Sequence, residues 1–391
     1  MDFEPWMLLV FPLFFGMGWL AARIDIKELL TESSALPRSY FDGLKFLLNE
    51  QQDQAIEAFI EVVKVDPQTI ELHFALGSLF RRRGEVDRAI RMHLNLVERA
   101  DLDAERKQQA LFELAQDYLK AGLLDRAEDA LLRLQGSLYE RQAYSSLLDI
   151  YQKEKDWLKA INIGRRLAAL DGSDGVNYEA FFYCELAAGE LVKKQPESAR
   201  EHLKHALVAS PKNIRASMML GDIALAEDQV KEAITTWQTI ELQNPEYLPL
   251  VAERLLSAYK RLDDVETGVT LLRGWLQKYP SLDLMAVLFK AVSEREGAEA
   301  AYRLVRDELR RNPSLLGLEK LLEAQLLSYH GERRTDLELV KQLIHDRTRT
   351  IGMYRCGHCG FKARQFYWHC PACQSWDSYR PRRTEEMGML Q

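Results

Sequence analysis

Cysteine is scarce in this sequence, with five residues in a chain of 391, and four of them fall in one short segment. A disulfide framework would distribute cysteine pairs along the whole chain, so this arrangement argues against one. Cys-x-x-Cys pairs in a long chain that is otherwise poor in cysteine indicate a metal site in a reducing compartment. The fifth cysteine, Cys184, lies in a helical apolar pattern and is predicted to be a small buried residue.

The sequence also lacks the short motifs by which many enzymes are recognised. It contains no phosphate-binding G-x-x-x-x-G-K-[ST] loop, no H-E-x-x-H helix and no G-x-S-x-G nucleophile turn. Neither sign of charge is in large excess, since 52 Lys and Arg against 59 Asp and Glu give a net charge of −7. That balance argues against general nucleic-acid binding. We therefore expect a protein that is not an enzyme.

One long apolar run stands at the start of the chain, where residues 5–22 carry no charge. As a helix it would span about 27 Å, close to the hydrocarbon thickness of a bilayer. A cleaved signal peptide would need a positive segment before the run, whereas Asp2 and Glu4 precede it. We predict a transmembrane anchor over residues 1–22 and a juxtamembrane linker over 23–35. Because Lys and Arg follow the run and do not precede it, the positive-inside rule places the N-terminus outside and the bulk of the chain in the cytoplasm.

The body of the chain repeats a two-helix pattern of about 34 residues, which is the tetratricopeptide period. A small residue recurs where the second helix of each pair crosses the first, because a larger side chain would hold the helices apart. These crossing positions are Ala55, Ala89, Ala127, Ala160, Ala199, Ala233, Gly268 and Ala301. An aromatic residue packs in the first helix, at Phe46, Phe80, Tyr118, Tyr151 and Tyr259. A proline is expected to end the second helix, at Pro67, Pro211, Pro245, Pro280 and Pro313.

The predicted fold is therefore all-α, with about eight tetratricopeptide repeats over residues 36–313 forming a superhelix. Residues 314–350 lack the repeat signature, and we expect them to form helices that cap the array. Arrays of this kind present a concave surface to peptides or protein domains, and the first helix of each repeat lines it.

The repeat register places four cations on that surface in the second to fourth repeats, namely Arg81, Arg82, Lys120 and Lys153. One interpretation is a basic groove that accepts an acidic peptide or a carboxyl terminus. The alternative is that these are solvated charges beside loops.

Two Cys-x-x-Cys pairs lie ten residues apart near the C-terminus, at Cys356, Cys359, Cys370 and Cys373. Two such turns can aim four thiolates at one tetrahedral metal ion. Gly357 and Gly360 permit the positive φ that such turns need, and Pro371 stiffens the second turn. Four thiolates leave no open coordination position, so the site is predicted to be structural or redox and not hydrolytic. Iron and zinc both accept these ligands, and the spacing does not separate them.

The halves CGHCGF and CPAC resemble rubredoxin, an iron protein. The ten-residue gap is shorter than in electron-carrying rubredoxins, and Gln374 stands where a glycine is usual. These departures favour a small docking domain that its metal ion holds folded, predicted over 353–379 with a tail over 380–391.

An N-terminal anchor, a tetratricopeptide array and a rubredoxin-like end together resemble the lipopolysaccharide assembly protein B family of Gram-negative bacteria. The most specific stretches are Leu79–His93, Tyr118–Asp129 and the two cysteine motifs. The resemblance implies that the four cysteines bind one metal ion, and that the chain is a single-pass inner-membrane adaptor without catalytic activity.

The resemblance also implies partners. Family members promote degradation, by the membrane AAA+ protease, of the deacetylase that commits precursors to lipid A. They are also proposed to gather other lipopolysaccharide biosynthesis and transport proteins at the membrane. The residues alone leave open whether the chain forms a homo-oligomer.

Two other functions remain open from the residues. A zinc ribbon could bind nucleic acid through Arg380, Arg382 and Arg383, although the acidic body and the membrane anchor oppose this. A rubredoxin-like end could also carry electrons, in which case it would bind iron.

Overall fold

A computed structural model describes residues 38–49, 51–65, 70–172, 178–328, 332–349 and 351–388. The predicted anchor and linker, 1–35, and Pro67 lie outside these ranges. Among the helices that the structure describes, none combines the length and the apolar character needed to span a membrane.

Helices form most of the described chain, and a small sheet and one short helix follow them. In chain order the first helices are α1 (Arg38–Leu48), α2 (Gln52–Val65), α3 (Ile70–Arg83), α4 (Val86–Glu98), α5 (Ala104–Ala121), α6 (Leu124–Leu132), α7 (Glu140–Glu154), α8 (Trp157–Asp171) and α9 (Glu179–Val192). The next are α10 (Pro196–Ala209), α11 (Ile214–Ala226), α12 (Val230–Gln243), α13 (Leu248–Arg261), α14 (Val265–Lys278), α15 (Leu282–Glu296), α16 (Ala298–Arg311), α17 (Leu315–Leu326) and α18 (Glu332–Thr348). The chain ends in β1 (Tyr354–Cys356), β2 (Lys362–Ala363), β3 (Tyr379–Arg383) and α19 (Thr384–Gly388).

The chain divides into two compact units, Met1–Ile150 and Tyr151–Gln391. In the first unit, α1 pairs with α2, α3 with α4 and α5 with α6. In the second unit, α9 pairs with α10, α11 with α12, α15 with α16 and α17 with α18. A single large apolar cluster of the second unit extends from α11 to α17. The last two helices lie in the segment predicted to cap the array, where α17 packs on α16 and α18 packs on α17.

The helix pairs meet at the small residues that the repeat pattern predicted. The alanines at seven of the eight crossing positions are 0% exposed, and Gly268 is buried as well. The first-helix aromatics are also confirmed, since Phe80, Tyr118, Tyr151 and Tyr259 are buried and Phe46 packs on the core. The tetratricopeptide interpretation of the body is therefore confirmed in both units.

Proline and short polar side chains determine where many helices end and begin. Pro211, Pro245, Pro280 and Pro313 each lie two residues after the end of a second helix, as predicted. Six of the described α-helices follow a residue whose side-chain oxygen accepts a hydrogen bond from a backbone N–H of the first turn. These residues are Asp103, Asp156, Asn213, Asp264, Ser281 and Ser314.

The C-terminal segment departs from the all-α prediction, because it contains a three-stranded antiparallel sheet in the order β2-β1-β3. Tyr354 of β1 lies opposite Ala363 of β2 and Arg383 of β3. The sheet brings the start and the end of the cysteine segment together. We call residues 354–383 the knuckle.

Close helix contact predicts a specific sensitivity to substitution at Gly221 in α11. The indole of Trp237 is fully buried, and its Nε1 donates a hydrogen bond to the Met218 carbonyl oxygen at 3.1 Å. A Cβ at Gly221 would lie 2.3 Å from that Nε1. We expect Gly221→Ala to lower the free energy of unfolding by about 1–3 kcal/mol, as overpacking does. Urea denaturation of the purified chain measures this.

Gly189 in α9 supplies the matched control, because it is an exposed helical glycine whose added Cβ would meet no atom within 4 Å. Gly189→Ala should stabilise the protein by about 0.5–1 kcal/mol through helix propensity alone. Equal effects of the two substitutions would contradict the close crossing at Gly221.

Candidate metal site and docking surface

The two cysteine turns of the knuckle have the same backbone design. In the first, the Gly360 N–H donates to the Cys356 carbonyl oxygen at 3.0 Å. In the second, the Gln374 N–H donates to the Cys370 carbonyl oxygen at 2.9 Å. Gly360 and Gln374 both have positive φ, of 77° and 59°. The departure at Gln374 therefore leaves a non-glycine residue in a conformation that glycine adopts at less cost.

The prediction for Gly357 is wrong in part, because its φ is not positive. Its small size has another use, since the Gly357 N–H donates to the Ser378 carbonyl oxygen at 2.7 Å. A Cβ at Gly357 would lie only 3.3 Å from that same oxygen. The glycine thus permits a close approach of two chain segments.

The four cysteine sulfurs all lie within 4.8 Å of one another. The Sγ atoms of Cys356 and Cys373 are 3.8 Å apart, and those of Cys359 and Cys370 are 3.7 Å apart. A tetrahedral ion with metal–sulfur bonds of about 2.3 Å would separate its sulfurs by about 3.8 Å. The sulfur positions therefore fit one tetrathiolate metal ion, as the spacing predicted. The geometry fits zinc and iron alike.

The ligand set is buried on one side and open on the other. Cys356 and Cys370 are 1% and 0% exposed, whereas Cys359 is exposed. The Ser375 hydroxyl lies 3.4 Å from the Cys373 sulfur, and the Ser378 hydroxyl lies 3.3 Å from the Cys356 sulfur. These serines were missed by sequence reasoning, because spacing rules identify ligands and not the groups that surround them.

The thiols differ in acidity. The hydrogen bond with Ser375 is the main cause that lowers the pKa of the Cys373 thiol to about 5. At Cys359 the hydrogen bond from the Phe361 backbone lowers the pKa, but partial desolvation and hydrogen bonds with the three neighbouring sulfurs outweigh it and raise the pKa to about 12. The physical reason is that crowded sulfurs resist carrying several negative charges at once. A divalent ion held by the four cysteines would offset that repulsion.

The knuckle docks against the array through Trp376. Its ring stacks on Phe181 with 5.5 Å between centroids, and it meets Trp157 and Phe182 edge to face. The indole Nε1 donates a hydrogen bond to Gln152 Oε1 at 2.9 Å. On its knuckle side, His369 stacks on Trp376 at 4.3 Å. His369 therefore belongs to the docking surface and not to the group of four metal-ligand candidates.

A second contact centres on Asp283 in α15. Arg383 donates from Nε and Nη2 to Asp283 Oδ1 at 2.9 and 2.8 Å. The Tyr354 hydroxyl donates to Asp283 Oδ2 at 2.6 Å. Burial, together with the Asp283 carboxylate, raises the pKa of Tyr354 and keeps it protonated as a donor. One carboxylate thus binds the central strand, β1, and the edge strand β3 to the array.

A third contact lies between Tyr247, which follows α12, and the knuckle. Trp368 stacks on the Tyr247 ring with 5.7 Å between centroids. The Tyr247 hydroxyl donates to Asp377 Oδ1 at 2.5 Å. The knuckle therefore contacts helices from the fourth repeat to the last one.

The residues after the knuckle complete the attachment by capping two helices of the array. Glu386 accepts a hydrogen bond from the Leu282 N–H at 2.8 Å, at the start of α15. Glu385 accepts from the Leu315 and Leu316 N–H groups at the start of α17. Carboxylates are favoured at helix N-termini because they satisfy free N–H groups and oppose the helix dipole. Part of the segment predicted as a tail, 380–391, therefore has a structural role.

Two of the three arginines considered for nucleic-acid binding form ion pairs with carboxylates of the array. Arg382 forms an ion pair with Glu246 at 3.2 Å, and Arg383 pairs with Asp283. These pairs reduce the positive charge that the knuckle could offer to a phosphate backbone.

The candidate groove cations have different surroundings. Arg81 forms ion pairs with Glu113 at 2.6 Å and with buried Asp117 at 2.8 Å, so its charge is already balanced. Arg82 and Lys120, in the same unit, are exposed. Lys153 is exposed and lies in the second unit. A role for these four residues in partner binding stays a prediction.

Fold and site define a class: a tetratricopeptide-repeat protein whose C-terminal cysteine knuckle is docked on its own array. Residues 354–381 match the family described as rubredoxin metal binding domain, and residues 49–105 and 186–259 match tetratricopeptide repeat families. The chain is 34% identical, over 96% of its length, to lipopolysaccharide assembly protein B of Escherichia coli strain K12, and covers 98% of that protein. It is 31% identical, over 97% of its length, to the protein of that name from Haemophilus influenzae, again covering 98% of it.

The chain therefore belongs to the lipopolysaccharide assembly protein B family. Among solved structures, a tetratricopeptide repeat protein from Parabacteroides merdae matches 78% of this chain and 100% of its own, with 12% identity and a TM-score of 0.33. That likeness is too weak to carry an argument.

The metal site yields a direct prediction. Replacement of Cys356 and Cys359 by serine should abolish metal binding, because two of four ligands are lost. The helical signal should persist, because the array has its own apolar core. Metal analysis and far-ultraviolet circular dichroism of the same sample measure both. Cys184→Ala is the matched control, since this buried cysteine lies in the array and should leave the metal content unchanged. Retention of metal by the double variant would contradict the site.

The docking surface yields a second prediction, which concerns Trp376. Trp376 is 8% exposed, and removal of a buried Trp side chain typically costs about 3–5 kcal/mol. We expect Trp376→Ala to detach the knuckle from α9, while the metal stays bound, because the sulfurs lie within the knuckle. Faster amide hydrogen exchange at both surfaces would report detachment. Phe361→Ala is the control, because Phe361 is an aromatic of the same knuckle that is 42% exposed. Unchanged exchange in the Trp376 variant would rule out this docking role.

Proposed function

We propose that this chain is a membrane-tethered adaptor without catalytic activity that limits lipopolysaccharide synthesis. In this proposal it presents the lipid A-committing deacetylase to the membrane AAA+ protease for degradation. The observation that carries the proposal is membership, over nearly the full length, of the lipopolysaccharide assembly protein B family. The name of those relatives places them in lipopolysaccharide assembly.

The architecture supports an adaptor. Tetratricopeptide helices present extended surfaces to other proteins. The candidate metal site uses four sulfurs, so a bound ion would have no open position for a substrate or water. The four cysteines are proposed to hold one iron or zinc ion with a structural role. The ion would supply folding energy to a segment that is too short to build a core of its own.

The docked knuckle supports a scaffold in which two domains act as one surface. Because Trp376 and Asp283 attach the knuckle to the array, a partner can contact both at once. Proposed localisation is the bacterial inner membrane, with residues 1–22 as a single-pass anchor, the N-terminus periplasmic and the body cytoplasmic. Other lipopolysaccharide biosynthesis and transport proteins are further proposed partners.

Crosslinked pull-down of the full-length chain from membranes tests this proposal. We expect the protease and the deacetylase to be recovered together, and deletion of residues 1–22 to reduce recovery of the protease. Cells that lack the chain should contain more deacetylase, and full-length protein should restore the lower level. Unchanged deacetylase levels, or full activity of the form without residues 1–22, would contradict the proposal.

A further inference from the structure

A groove that no knuckle residue lines lies between the first helices of two successive repeats. Helix α13 packs beside α15, and the start of α14 closes one end. The cavity measures about 480 Å³, within the range of about 300–1,000 Å³ that ligand pockets occupy. It lies on the helices that line the binding face of a tetratricopeptide array.

The floor of this groove is apolar and the rim is charged. Leu256, Val265, Val287 and Ala291 are half-buried and form the floor. The exposed rim contains three cations, Lys260, Lys290 and Arg295, and two acids, Glu253 and Glu294.

The three cations have no ion-pair partner among the residues that the structure describes. Neighbouring cations do have partners: Arg254 pairs with Asp222 at 2.9 Å, and Arg273 pairs with Glu296 at 2.7 Å. Arg81 and Lys260 occupy equivalent repeat positions, because each directly follows a first-helix aromatic. The charge of Arg81 is balanced by two carboxylates, whereas Lys260 has no carboxylate partner among the described residues.

The positions of the two acids limit the ligand. Glu253 lies seven residues before Lys260 on α13, which is two turns or about 10 Å along the helix. The second acid, Glu294, directly precedes Arg295 near the C-terminal end of α15, so an acid stands on the rim at each end of the groove. A segment with several carboxylates would be repelled by Glu253 and Glu294. A ligand with one carboxylate beside an apolar side chain matches the rim and the floor together.

We infer that this groove binds the free carboxyl terminus of a partner protein whose last residue is apolar. A C-terminal residue carries a carboxylate and a side chain on one Cα, so a single residue can use both features. The side chain would rest on Val287 and Ala291, and the carboxylate would pair with Lys290 and its neighbouring cations. This inference deepens the proposed adaptor function and rests on it, because it states the chemistry of one partner.

Peptide binding to the purified full-length chain tests the inference. The probes are fluorescent hexapeptides that differ only in their last residue, each made as the free acid and as the C-terminal amide. We expect acids that end in Leu or Val to bind, and amidation to weaken binding at least tenfold. Added salt should weaken binding as well, because the cations are exposed.

Variants locate the binding to the groove. Lys290→Glu should weaken binding of the free acids at least tenfold, and Ala291→Leu should weaken it by filling the floor. Lys231→Glu is the matched control, because Lys231 is an exposed lysine of the same unit on a second helix, α12. It should leave binding unchanged, and circular dichroism should show that all three variants remain folded.

Equal affinity for acids and amides, wild-type affinity of Lys290→Glu, or no binding up to about 1 mM would each overturn the inference. These outcomes are separate from the membrane pull-down. If the Lys290 variant still recovers the protease and the deacetylase, the adaptor function stands and only this groove is rejected.

Discussion

Close crossing of paired helices at a residue no larger than alanine is the constraint on which this protein depends. Each two-helix repeat has an apolar face that it cannot bury alone, so it must stack on its neighbours. The crossing alanines are fully buried, and Trp237 and His93 lie directly against Gly221 and Gly77, where a Cβ would clash. Helices held this closely have fixed positions, and they give the knuckle a defined surface on which to dock.

The knuckle shows how a very small domain obtains stability from two sources. Its own core is limited to a few residues around Tyr354, Tyr379 and the inner cysteines. A tetrathiolate ion would add folding energy within the knuckle, and the aromatic and ionic contacts of Trp376 and Asp283 add energy from outside. The two sources act at different places, because the four sulfurs lie within the knuckle and the docking contacts lie between the knuckle and the array.

The distribution of paired and unpaired charge separates structural cations from those available to partners. Arg81, Arg382 and Arg383 form ion pairs with carboxylates of this chain, and these pairs stabilise its own fold. Lys260, Lys290 and Arg295 surround an apolar floor and have no such partners in the part of the chain that the structure describes. An adaptor needs surfaces of the second kind, because a charge that is already neutralised adds little to recognition.

The sequence by itself determined the features that depend on periodicity or on short spacing. The repeat register, the prolines after Ala209, Gln243, Lys278 and Arg311, and the cysteine pairs are local patterns, so one chain suffices to find them. Only the tertiary structure decided that Trp376 meets Gln152, 224 residues away, that Glu385 and Glu386 cap distant helices, and that Gly357 serves a close approach. The physical reason is that these contacts join segments far apart in the chain, and no local pattern encodes which segments folding will bring together.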